Sequence, residues 1–515
     1  MAGDDAHGPD GRNITRQVAC WVAAVRTHYI VLLAFTLAAY LPRLCLSYGV
    51  VFVAQLLRAL ARLTGAATGR PVANRRILVI SDYMPPQTHG IAIRCHAYVK
   101  EMRAQGHEVV LFSTAYQANK ETSFDHPNIP SVVNPFNLNN RIGYTPGIKL
   151  SWYLSAHTWD VVHVVFPSLI ASFVLGVCNW RRIPVYCSHH VEMQMFAHEH
   201  VPFAPVCHFG LFMYNIIAKW PASRWGTLNA APTLVFAKDH LGTSNEERLR
   251  RVPSGSHDVF KPEHASQAER REVRLKRFGV DSDATKVIIM VQRLSGEKGT
   301  ERIFPVLVRK EAGGQGVDAV LAIAGDGPAK AFLMDEASRL NIPAVFLGNV
   351  PHHELPRLYR AADCFVTMSL SETFGLTCLE AMMCGCPAVM PYCPVFDEIW
   401  DGKTPKAWRY AIHKENGVDL PGLSSAIAEA QRNGRLFLNQ KPVRMTWRDA
   451  ANELLRQYEE CISLNADKRK KKGELVRFMD HCIRMAFCSV AAGWVLAHYY
   501  LPPLRRVSFA MGFGS

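Results

Sequence analysis

Residues 364–390, CFVTMSLSETFGLTCLEAMMCGCPAVM, decide the fold of this chain. The apolar run Cys364–Thr367 predicts a buried strand, Gly375–Cys384 has the periodicity of a helix, and Pro387–Met390 predicts the next strand. Buried strands that alternate with helices are typical of parallel sheets, because each crossover helix returns the chain to the same edge. The segment therefore predicts one strand–helix–strand unit of an α/β domain.

The same alternation extends in both directions and forms two series. One starts at Arg76, after a linker rich in Gly, Ala and Pro at Thr64–Asn74, and the other starts at Lys286. Two such series predict two Rossmann-like, doubly wound domains that face a cleft, with ligands held at the carboxyl ends of the strands. The predicted strands are Arg76–Ser81, Glu108–Ser113, Val161–Val165, Pro184–Ser188, Lys286–Val291, Val317–Ala324, Ala344–Leu347, Cys364–Thr367 and Pro387–Met390, and the predicted helices are Ile91–Gln105, Thr300–Lys310, Ala329–Leu340, Leu355–Ala361 and Gly375–Cys384.

Length and composition agree with this organisation. A chain of 515 residues is too long for one compact core, and a content of 49% hydrophobic residues excludes disorder as the dominant state. We predict a tail and a membrane-associated segment at 1–74, Rossmann-like domains at 75–256 and 257–445, and a C-terminal helix, basic cluster and membrane segment at 446–515.

The net charge of +14 indicates an anionic partner. Part of the excess lies in one run, Lys468–Lys472, directly before an apolar C-terminal stretch. Juxtamembrane clusters of this kind attract anionic headgroups with about 1 kcal/mol per basic residue. No RNA- or DNA-binding motif accompanies the charge, so we expect a membrane with anionic headgroups and no nucleic acid. A solvated run without a partner is the alternative.

Uncharged stretches near both termini predict membrane association. Tyr29–Pro42 and Leu44–Leu57 carry no charge and are separated by Arg43. One transmembrane helix through both stretches would place this arginine near mid-bilayer, at a cost of about 2.5–3.5 kcal/mol. Pro42 therefore predicts a break that gives either a hairpin or an interfacial helix. Met485–Leu504 is about one membrane span long, and a docked or buried helix is the alternative there.

The cysteines predict a reducing compartment. Fourteen are scattered without a Cys-x-x-Cys pair or an even framework, which argues against a disulfide scaffold and a zinc module. The spacing of the one dense patch matches no metal site, and free cysteine behaves in such an apolar run as a small core residue. This patch comprises Cys378, Cys384, Cys386 and Cys393.

The loop and helix within 364–390 carry the strongest chemical signal. Free N–H groups at the helix N-terminus, around Phe374, Gly375 and Leu376, form a site for anions and sugar hydroxyl groups. Glu372 lies in the loop and Glu380 about two turns further on, so the two carboxylates lie on nearly the same helix face. Two carboxylates are common by chance, but the full string ending in Glu-Ala-Met-x-x-Gly-x-Pro is not.

This string resembles the retaining glycosyltransferases of family 4, which have the GT-B fold, and the resemblance covers roughly residues 75–445. The family's motif of two glutamates separated by seven residues is met by Glu372 and Glu380. The resemblance implies that Glu372 contacts the donor sugar and that Glu380 binds the ribose hydroxyl groups of a nucleotide. It also implies that 75–256 binds the acceptor and that 257–445 binds the nucleotide-sugar.

A second motif, VQRLSGEKG at 291–299, supplies cations at another strand end. Arg293 and Lys298 can both point into the cleft and neutralise a diphosphate leaving group without a metal ion. Family 4 has Gly-Arg followed by Glu-Lys-Gly here, so the resemblance implies that both residues bind diphosphate. Gln292 replaces the usual glycine. Two surface basic residues at a helix start are the alternative.

Glycine loops mark two further contacts that the resemblance implies. Gly90 follows His89 where the family usually has a Gly-Gly pair, and it can let the backbone approach phosphate. The tight turn Gly325–Pro328 precedes the base pocket in the family. Val350, in a Gly-Asn-Val segment after the next strand, is the candidate for contacting the base.

His190 resembles the histidine that the family frequently places near the reacting sugar. Such a histidine orients the donor by donating a hydrogen bond and need not act as a base. A metal site is the alternative, with candidate ligands at His189, His190, Glu192, His198, Glu199 and His200. We expect neither a metal nor another cofactor, because Arg293 and Lys298 already supply positive charge and the family is generally metal-independent.

Together these motifs predict a retaining transferase with a nucleotide-sugar donor, which we expect to be UDP-linked. Its catalytic residues are predicted to be His190, Arg293, Lys298 and Glu372. Stabilising the departing diphosphate is the main task, and no second carboxylate for a covalent intermediate is evident, so the family's front-face mechanism is implied.

The membrane-seeking segment beside 75–256 predicts a lipid acceptor. Two short strings, DVVH at 160–163 and PVYCSHH at 184–190, most resemble those of plant and bacterial sulfoquinovosyl- and glucosyl-diacylglycerol transferases, which make glycolipids. A phosphatidylinositol mannosyl- or N-acetylglucosaminyl-transferase is one alternative. A non-catalytic sugar-binding or scaffold subunit is another, although both glutamates are present. We expect a membrane-associated enzyme with its catalytic domains in a reducing compartment, at the cytosolic face or in a plastid.

Overall fold

The structure of the 515-residue chain is a computed structural model. It describes residues 41–63, 74–85, 90–114, 129–134, 137–143, 146–166, 168, 170–191, 211, 214–215, 219–241, 243–262, 266–308, 317–370, 372–413 and 417–468. These residues form two lobes, each built on a parallel six-stranded sheet.

The first lobe has the strand order β2-β1-β5-β6-β7-β8, and β3 and β4 pair separately as an antiparallel hairpin. Successive residues of β1 face opposite sides, so that Ile77 and Val79 join one buried apolar cluster while Leu78 and Ile80 join another. The strands are β1 Arg76–Ser81, β2 Glu108–Ser113, β3 Ser131–Asn134, β4 Asn137–Gly143, β5 Val161–Phe166, β6 Val185–His189, β7 Leu228–Ala231 and β8 Leu249–Arg251. The helices are α1 Leu41–Leu63, α2 Gly90–Ala104, α3 Gly147–Ala156, α4 Ala171–Arg181, α5 Trp220–Trp225 and α6 Leu234–Leu241.

The second lobe repeats the design with the strand order β11-β10-β9-β12-β13-β14. Its core is one large cluster of apolar side chains around β9 and β12. The strands are β9 Lys286–Val291, β10 Ala319–Ala324, β11 Ala344–Gly348, β12 Cys364–Val366, β13 Ala388–Pro391 and β14 Arg409–Tyr410, with a separate hairpin of β15 Ile412–His413 and β16 Gly417–Val418. The helices are α7 Gln267–Phe278, α8 Phe304–Leu307, α9 Lys330–Arg339, α10 Leu355–Ala361, α11 Leu376–Met383, α12 Pro394–Trp400, α13 Leu420–Gln440 and α14 Trp447–Lys468.

The chain passes between the lobes twice, and the two passages touch. Ser256 in the first passage forms a β-bridge with Thr446 in the second. Gly255 approaches so closely that a Cβ atom there would lie 2.3 Å from the Thr446 carbonyl oxygen. After the second passage, α14 returns to the first lobe, where Trp447 and Tyr458 are buried in its core. Helix α14 therefore completes the first lobe rather than the second.

Most of the predicted strands are confirmed, three of them to the residue: β1, β2 and β9. Sequence reasoning missed three strands of the two large sheets, β7, β8 and β14, which are two to four residues long. It also missed both antiparallel hairpins, β3–β4 and β15–β16. The predicted helix Thr300–Lys310 is a 3₁₀ segment at Thr300–Ile303 followed by the single turn α8. Pro305 in the first turn of α8 lacks an N–H donor, which favours this change of geometry.

The N-terminal apolar stretch is partly visible as α1, which runs from Leu41 to Leu63 without interruption. Pro42 lies in its first turn, where a missing N–H donor costs nothing. Among the residues that the structure describes, no helix is long and apolar enough to cross a membrane. Residues 1–40, the linker at 64–73, Arg469–Lys472 and Met485–Leu504 lie outside the described residues.

Candidate active site

A partly buried ion pair lies where β9 and β12 of the second lobe end. Lys298 ends a short 3₁₀ turn, and its Nζ donates to the Glu372 Oε1 at 2.6 Å and to the Ser369 hydroxyl at 3.4 Å. Both charged side chains are only 20% exposed. Gly299, in the left-handed region at φ 55°, turns the chain away directly after the lysine. The structure therefore brings together Lys298 and Glu372, two residues that the sequence analysis assigned to one donor site.

Arg293 follows β9 on the same loop and is exposed. Within the described residues it forms no ion pair, in contrast to Lys298. Gln292, at the position where family 4 has glycine, donates to the Thr300 hydroxyl at 2.7 Å. Close backbone approach occurs instead at Gly325, where a Cβ atom would lie 1.9 Å from the Gln292 carbonyl oxygen. The tight turn at 325–328 therefore packs directly on the loop at 291–299 that carries Arg293 and Lys298, here named the cation loop.

The N-terminus of α11 faces the junction of the lobes. Gly375 caps it in the left-handed conformation at φ 79°, and a Cβ atom there would collide with the Phe396 ring. Phe374 is buried edge-on against Trp400, while Leu376 packs against the cores of both lobes. The first N–H groups of this helix therefore lie beside the Lys298 and Glu372 loops.

Glu380 on α11 is 7% exposed and has two partners that sequence reasoning missed. Its Oε1 lies 3.1 Å from the His352 Nε2 and 3.5 Å from the Ser256 hydroxyl. His352 follows Val350, the predicted base contact, by two residues, and Val350 is half-buried. Ser256 belongs to the first passage of the chain between the lobes. The Glu380 carboxylate therefore joins the segment around Val350 to this passage.

In the first lobe, Gly90 begins α2, is exposed, and has open space where a Cβ atom would project. His190, just after β6, is 2% exposed, with its Nδ1 at 2.9 Å from the Arg94 Nη1 and its Nε2 at 2.9 Å from the Ser188 hydroxyl. A guanidinium group can only donate, so the Nδ1 of His190 accepts and its proton resides on Nε2. The predicted sugar-orienting histidine is thus held by two side chains of its own lobe.

This contact is one end of a buried chain of polar groups. The Ser188 hydroxyl also lies 2.7 Å from the His163 Nε2, and the His163 Nδ1 lies 2.7 Å from the Tyr458 hydroxyl on α14. Burial lowers the pKa of His163 to about 3, so this imidazole is neutral. Arg94 itself is 3% exposed, and its Nε is buried without a partner in the described part of the chain.

A further carboxyl group lies at the end of β1. Asp82 is 2% exposed, and burial raises its pKa to about 7, against the opposing effects of the Ser168 hydroxyl and the Gly143 backbone. The Thr114 hydroxyl donates to the Asp82 carbonyl oxygen at 2.7 Å. Through its contact with the Gly143 backbone, the Asp82 carboxyl group connects the β3–β4 hairpin to the edge of the sheet from which α2 starts.

The two halves of the chain match two sequence profiles. Residues 88–231 match Glycosyltransferase Family 4, and residues 274–403 match Glycosyl transferases group 1. The GDP-mannose-dependent alpha-(1-6)-phosphatidylinositol dimannoside mannosyltransferase of Mycobacterium tuberculosis is 31% identical, over 74% of this chain and 95% of that protein. The chain belongs to glycosyltransferase family 4.

Two further relatives of this glycosyltransferase are 25% and 26% identical. Alpha-monoglucosyldiacylglycerol synthase of Streptococcus pneumoniae is 26% identical over 68% of this chain and 78% of that protein. Sulfoquinovosyl transferase SQD2 of Arabidopsis thaliana is 25% identical over 61% of this chain and 59% of that protein. Sucrose-phosphate synthase from Thermosynechococcus elongatus superposes with a TM-score of 0.54 at 17% identity, over 76% of this chain and 100% of that structure, which establishes the two-lobed GT-B-like fold.

The glycosyltransferase has its dense cysteine patch in the core of the second lobe, as predicted. Cys378, Cys384, Cys386 and Cys393 are free and buried, and burial raises the pKa of each thiol. Within the described ranges, no three His, Cys, Asp or Glu side chains come close enough together to hold a metal ion. Of the alternative metal site, His189 is buried at the end of β6, and Glu192, His198, Glu199 and His200 lie outside the described residues.

Proposed function

We propose that this glycosyltransferase moves a sugar from a nucleotide-sugar donor, UDP-linked, to a membrane lipid acceptor of the diacylglycerol type, with retention of anomeric configuration. The observation that carries the proposal is the joint placement of Lys298, Glu372 and Glu380 around the N-terminus of α11. Lysine and helix N–H groups suit a diphosphate, and the carboxylates suit sugar and ribose hydroxyl groups. Because these three groups are present and placed together, they give no support to the alternative of a non-catalytic sugar-binding or scaffold subunit.

The cation loop performs the main catalytic task in this proposal. Departure of the nucleoside diphosphate leaves negative charge, which Lys298, Arg293 and the α11 N–H groups stabilise in a partly buried site. Glu372 keeps Lys298 in place before the donor binds, since the pair is made at 2.6 Å. The lysine supplies the charge that a metal ion would otherwise supply, and we propose that the reaction needs no metal.

Glu380 and Val350 bind the nucleoside in this scheme. The carboxylate accepts hydrogen bonds from the ribose hydroxyl groups, and the backbone around Val350 contacts the base. In the first lobe, Gly90 opens the backbone beside the phosphates, and His190 lies near the sugar with its ring orientation set by Arg94. The leaving phosphate accepts the proton of the attacking acceptor hydroxyl in the front-face mechanism.

The acceptor class rests on the relatives. Two of them are named for products or reactions on diacylglycerol-type lipids, namely the monoglucosyldiacylglycerol synthases of Streptococcus pneumoniae and Acholeplasma laidlawii. A phosphatidylinositol-linked mannoside is the second candidate acceptor, because the mycobacterial mannosyltransferase has 31% identity and 95% of its length is covered. The ten cysteines in the described part of the chain form no disulfide bonds with one another, which fits catalytic domains at a cytosolic face or in a plastid.

Purified full-length protein tests the proposal directly. It is incubated with UDP-glucose, UDP-sulfoquinovose, UDP-N-acetylglucosamine or GDP-mannose, each with diacylglycerol or phosphatidylinositol, and the labelled lipid is separated and counted. We expect a UDP-sugar with diacylglycerol to give α-linked product, and Lys298→Ala to lower the rate of its formation by about two to three orders of magnitude. Product only from GDP-mannose and phosphatidylinositol establishes the second candidate. No product from any pair, with correctly folded protein, contradicts both.

A further inference from the structure

Polar side chains are uncommon inside a parallel sheet, yet the first lobe holds a connected set of them. His163 on β5 and Ser188 on β6 are almost fully buried, and the other residues of β5 are valine and phenylalanine. Tyr458 on α14 reaches this set from the opposite end of the sequence and is also fully buried. Burying polar groups costs free energy that apolar side chains would not cost, so the set indicates a role beyond packing.

The hydrogen bonds of this set run in one direction, which its Arg94 end determines. Arg94 can only donate to the His190 Nδ1, so the proton of that ring is on Nε2 and is donated to the Ser188 hydroxyl at 2.9 Å. The Ser188 proton then points to the His163 Nε2 at 2.7 Å, the remaining acceptor among its described partners. Burial keeps His163 neutral, so its one proton is on Nδ1 and is donated to the Tyr458 oxygen at 2.7 Å. These five residues are here named the hydrogen-bond chain.

The Tyr458 hydroxyl is the last acceptor of the hydrogen-bond chain. Without it, the Nδ1 proton of His163 would have no acceptor within the described residues. A proton on the His163 Nε2 instead would point at the Ser188 oxygen, which already accepts from His190, and would leave the Ser188 proton without an acceptor. Each arrangement leaves one buried donor unpaired, which is unfavourable. Tyr458 therefore determines which nitrogen of each imidazole ring carries the proton.

The helix that carries Tyr458 is firmly attached to the sheet. Helix α14 begins at Trp447, directly after the second passage between the lobes. Beside Tyr458, Gln457 accepts a hydrogen bond from the Tyr186 hydroxyl at 2.7 Å, and its amide group donates to the Arg251 carbonyl oxygen at 3.1 Å. Two consecutive residues of α14 are thus hydrogen-bonded to groups of the sheet, which fixes the place of the Tyr458 hydroxyl against β5.

We propose that Tyr458 and His163 are positioning residues for His190, and that the hydrogen-bond chain keeps the Nε2 proton of His190 ready for a hydroxyl group of the donor sugar. When the sugar binds, its hydroxyl group replaces Ser188 as the acceptor of this proton. Ser188 still donates to His163, so the exchange leaves no donor of the chain unpaired. Neither Tyr458 nor His163 touches the sugar. The inference rests on the proposed function for the role of His190, whereas the direction of the hydrogen bonds is independent of turnover.

Tyr458→Phe in the full-length protein tests the proposal, because it removes one hydroxyl group and keeps the ring. We expect kcat for sugar transfer to fall about fivefold. The affinity for UDP should stay unchanged, since the nucleotide site lies in the second lobe. The matched control is Tyr186→Phe, which also removes a fully buried hydroxyl between α14 and the sheet, but one that contacts Gln457 and not the hydrogen-bond chain. We expect the wild-type kcat in this control. Equal kcat values in the two variants overturn the proposal.

A double variant shows whether Tyr458 acts through His190. His190→Ala alone should lower kcat, and adding Tyr458→Phe to it should cause no further loss, because the chain then has no ring to position. Losses that multiply show that Tyr458 acts elsewhere and overturn the proposal. An unchanged kcat in His190→Ala removes this histidine from the reaction and overturns it too.

NMR spectroscopy of ¹⁵N-histidine-labelled protein reads the proton positions without turnover. The shifts of the ring nitrogens distinguish the two neutral tautomers, and the variants His163→Gln and His190→Gln assign the signals. We expect the proton on Nδ1 of His163 and on Nε2 of His190 in the wild-type protein and in Tyr186→Phe. In Tyr458→Phe the His163 signal should change. The opposite tautomers in the wild-type protein, or an unchanged His163 signal in Tyr458→Phe, contradict the proposal.

The outcomes also separate this inference from the proposed function. Transfer by the wild-type protein that is equally fast in Tyr458→Phe overturns the inference and leaves the proposed function intact. No transfer by the wild-type protein to any lipid contradicts the proposed function. The expected tautomers would then show that the hydrogen-bond chain is structural, which overturns the positioning role as well.

Discussion

The two lobes share an architecture but use opposite chemistry at their facing edges. The second lobe presents charged groups at its strand ends, with Lys298 and Glu372 paired and Glu380 bound to His352. The first lobe has neutral or buried polar groups at its strand ends and an apolar outer face on α1 and α3. This difference supports the proposal that the charged lobe binds the anionic donor and that the first lobe orients the sugar and binds the acceptor.

The largest expected effect comes from removing Lys298, the cation at the charged edge of the second lobe. Lys298→Ala should lower kcat by about 10²- to 10³-fold, because a preorganised cation at the leaving diphosphate is lost. The control is Lys276→Ala on α7, whose side chain also pairs with a glutamate, Glu272 at 2.8 Å, but is 70% exposed. Steady-state transfer assays measure both variants. A similar kcat in the two variants contradicts the assignment of Lys298.

Substitution of Arg94 tests whether the buried polar groups of the first lobe position His190 for catalysis. Arg94→Met leaves the His190 Nδ1 without its donor and should lower kcat about tenfold with little change in the donor KM. Arg94→Lys, which retains a donor, should restore part of the activity. A variant that loses only thermal stability, with kcat unchanged, shows that Arg94 is structural and not a positioning residue for His190.

His352 gives a smaller effect with a close control. His352→Ala removes the partner of Glu380 and should weaken UDP binding about fivefold, whereas His353→Ala, at the adjacent exposed position, should leave it unchanged. Isothermal titration calorimetry measures both. In Glu380→Gln the effect of His352→Ala should shrink, since the two residues act through one contact. Additive losses contradict this coupling.

The smallest effect concerns Asp82 and the pH dependence of stability. Its pKa is raised by burial to about 7, so its contribution to stability is complete below the ordinary aspartate pKa and is lost as pH rises through about 7. Compared with the wild-type protein, Asp82→Asn should therefore gain stability as pH rises from 4 to 7, by at most about 4 kcal/mol. Thermal melting across this range measures the difference. A constant difference contradicts a buried protonated carboxyl group.

The sequence predicted the sheets well because buried parallel strands are continuous apolar runs, as in Lys286–Val291. It placed Lys298 and Glu372 in one cleft because both follow strands of one parallel sheet, and it did not predict that the two side chains pair with each other. It could not predict short strands such as Arg409–Tyr410, whose pairing depends on the neighbouring strand more than on their own residues.

Sequence reasoning also missed contacts made across long separations. Ser256 and Glu380 are 124 positions apart, and His163 and Tyr458 are 295 positions apart. The return of α14 to the first lobe creates the second contact, and no local pattern encodes it. The contact between His352 and Glu380 has a signal in the sequence. His352 lies two positions after Val350, the predicted base contact, and histidine commonly pairs with a carboxylate.

The central claim is that Lys298 holds the diphosphate of the donor while Glu380 holds its ribose. Calorimetric titration of UDP and of uridine into wild-type protein, Lys298→Ala and Glu380→Ala tests it most directly. We expect Lys298→Ala to remove most of the preference for UDP over uridine, and Glu380→Ala to weaken both ligands in similar proportion. An unchanged preference for UDP in Lys298→Ala would contradict the claim.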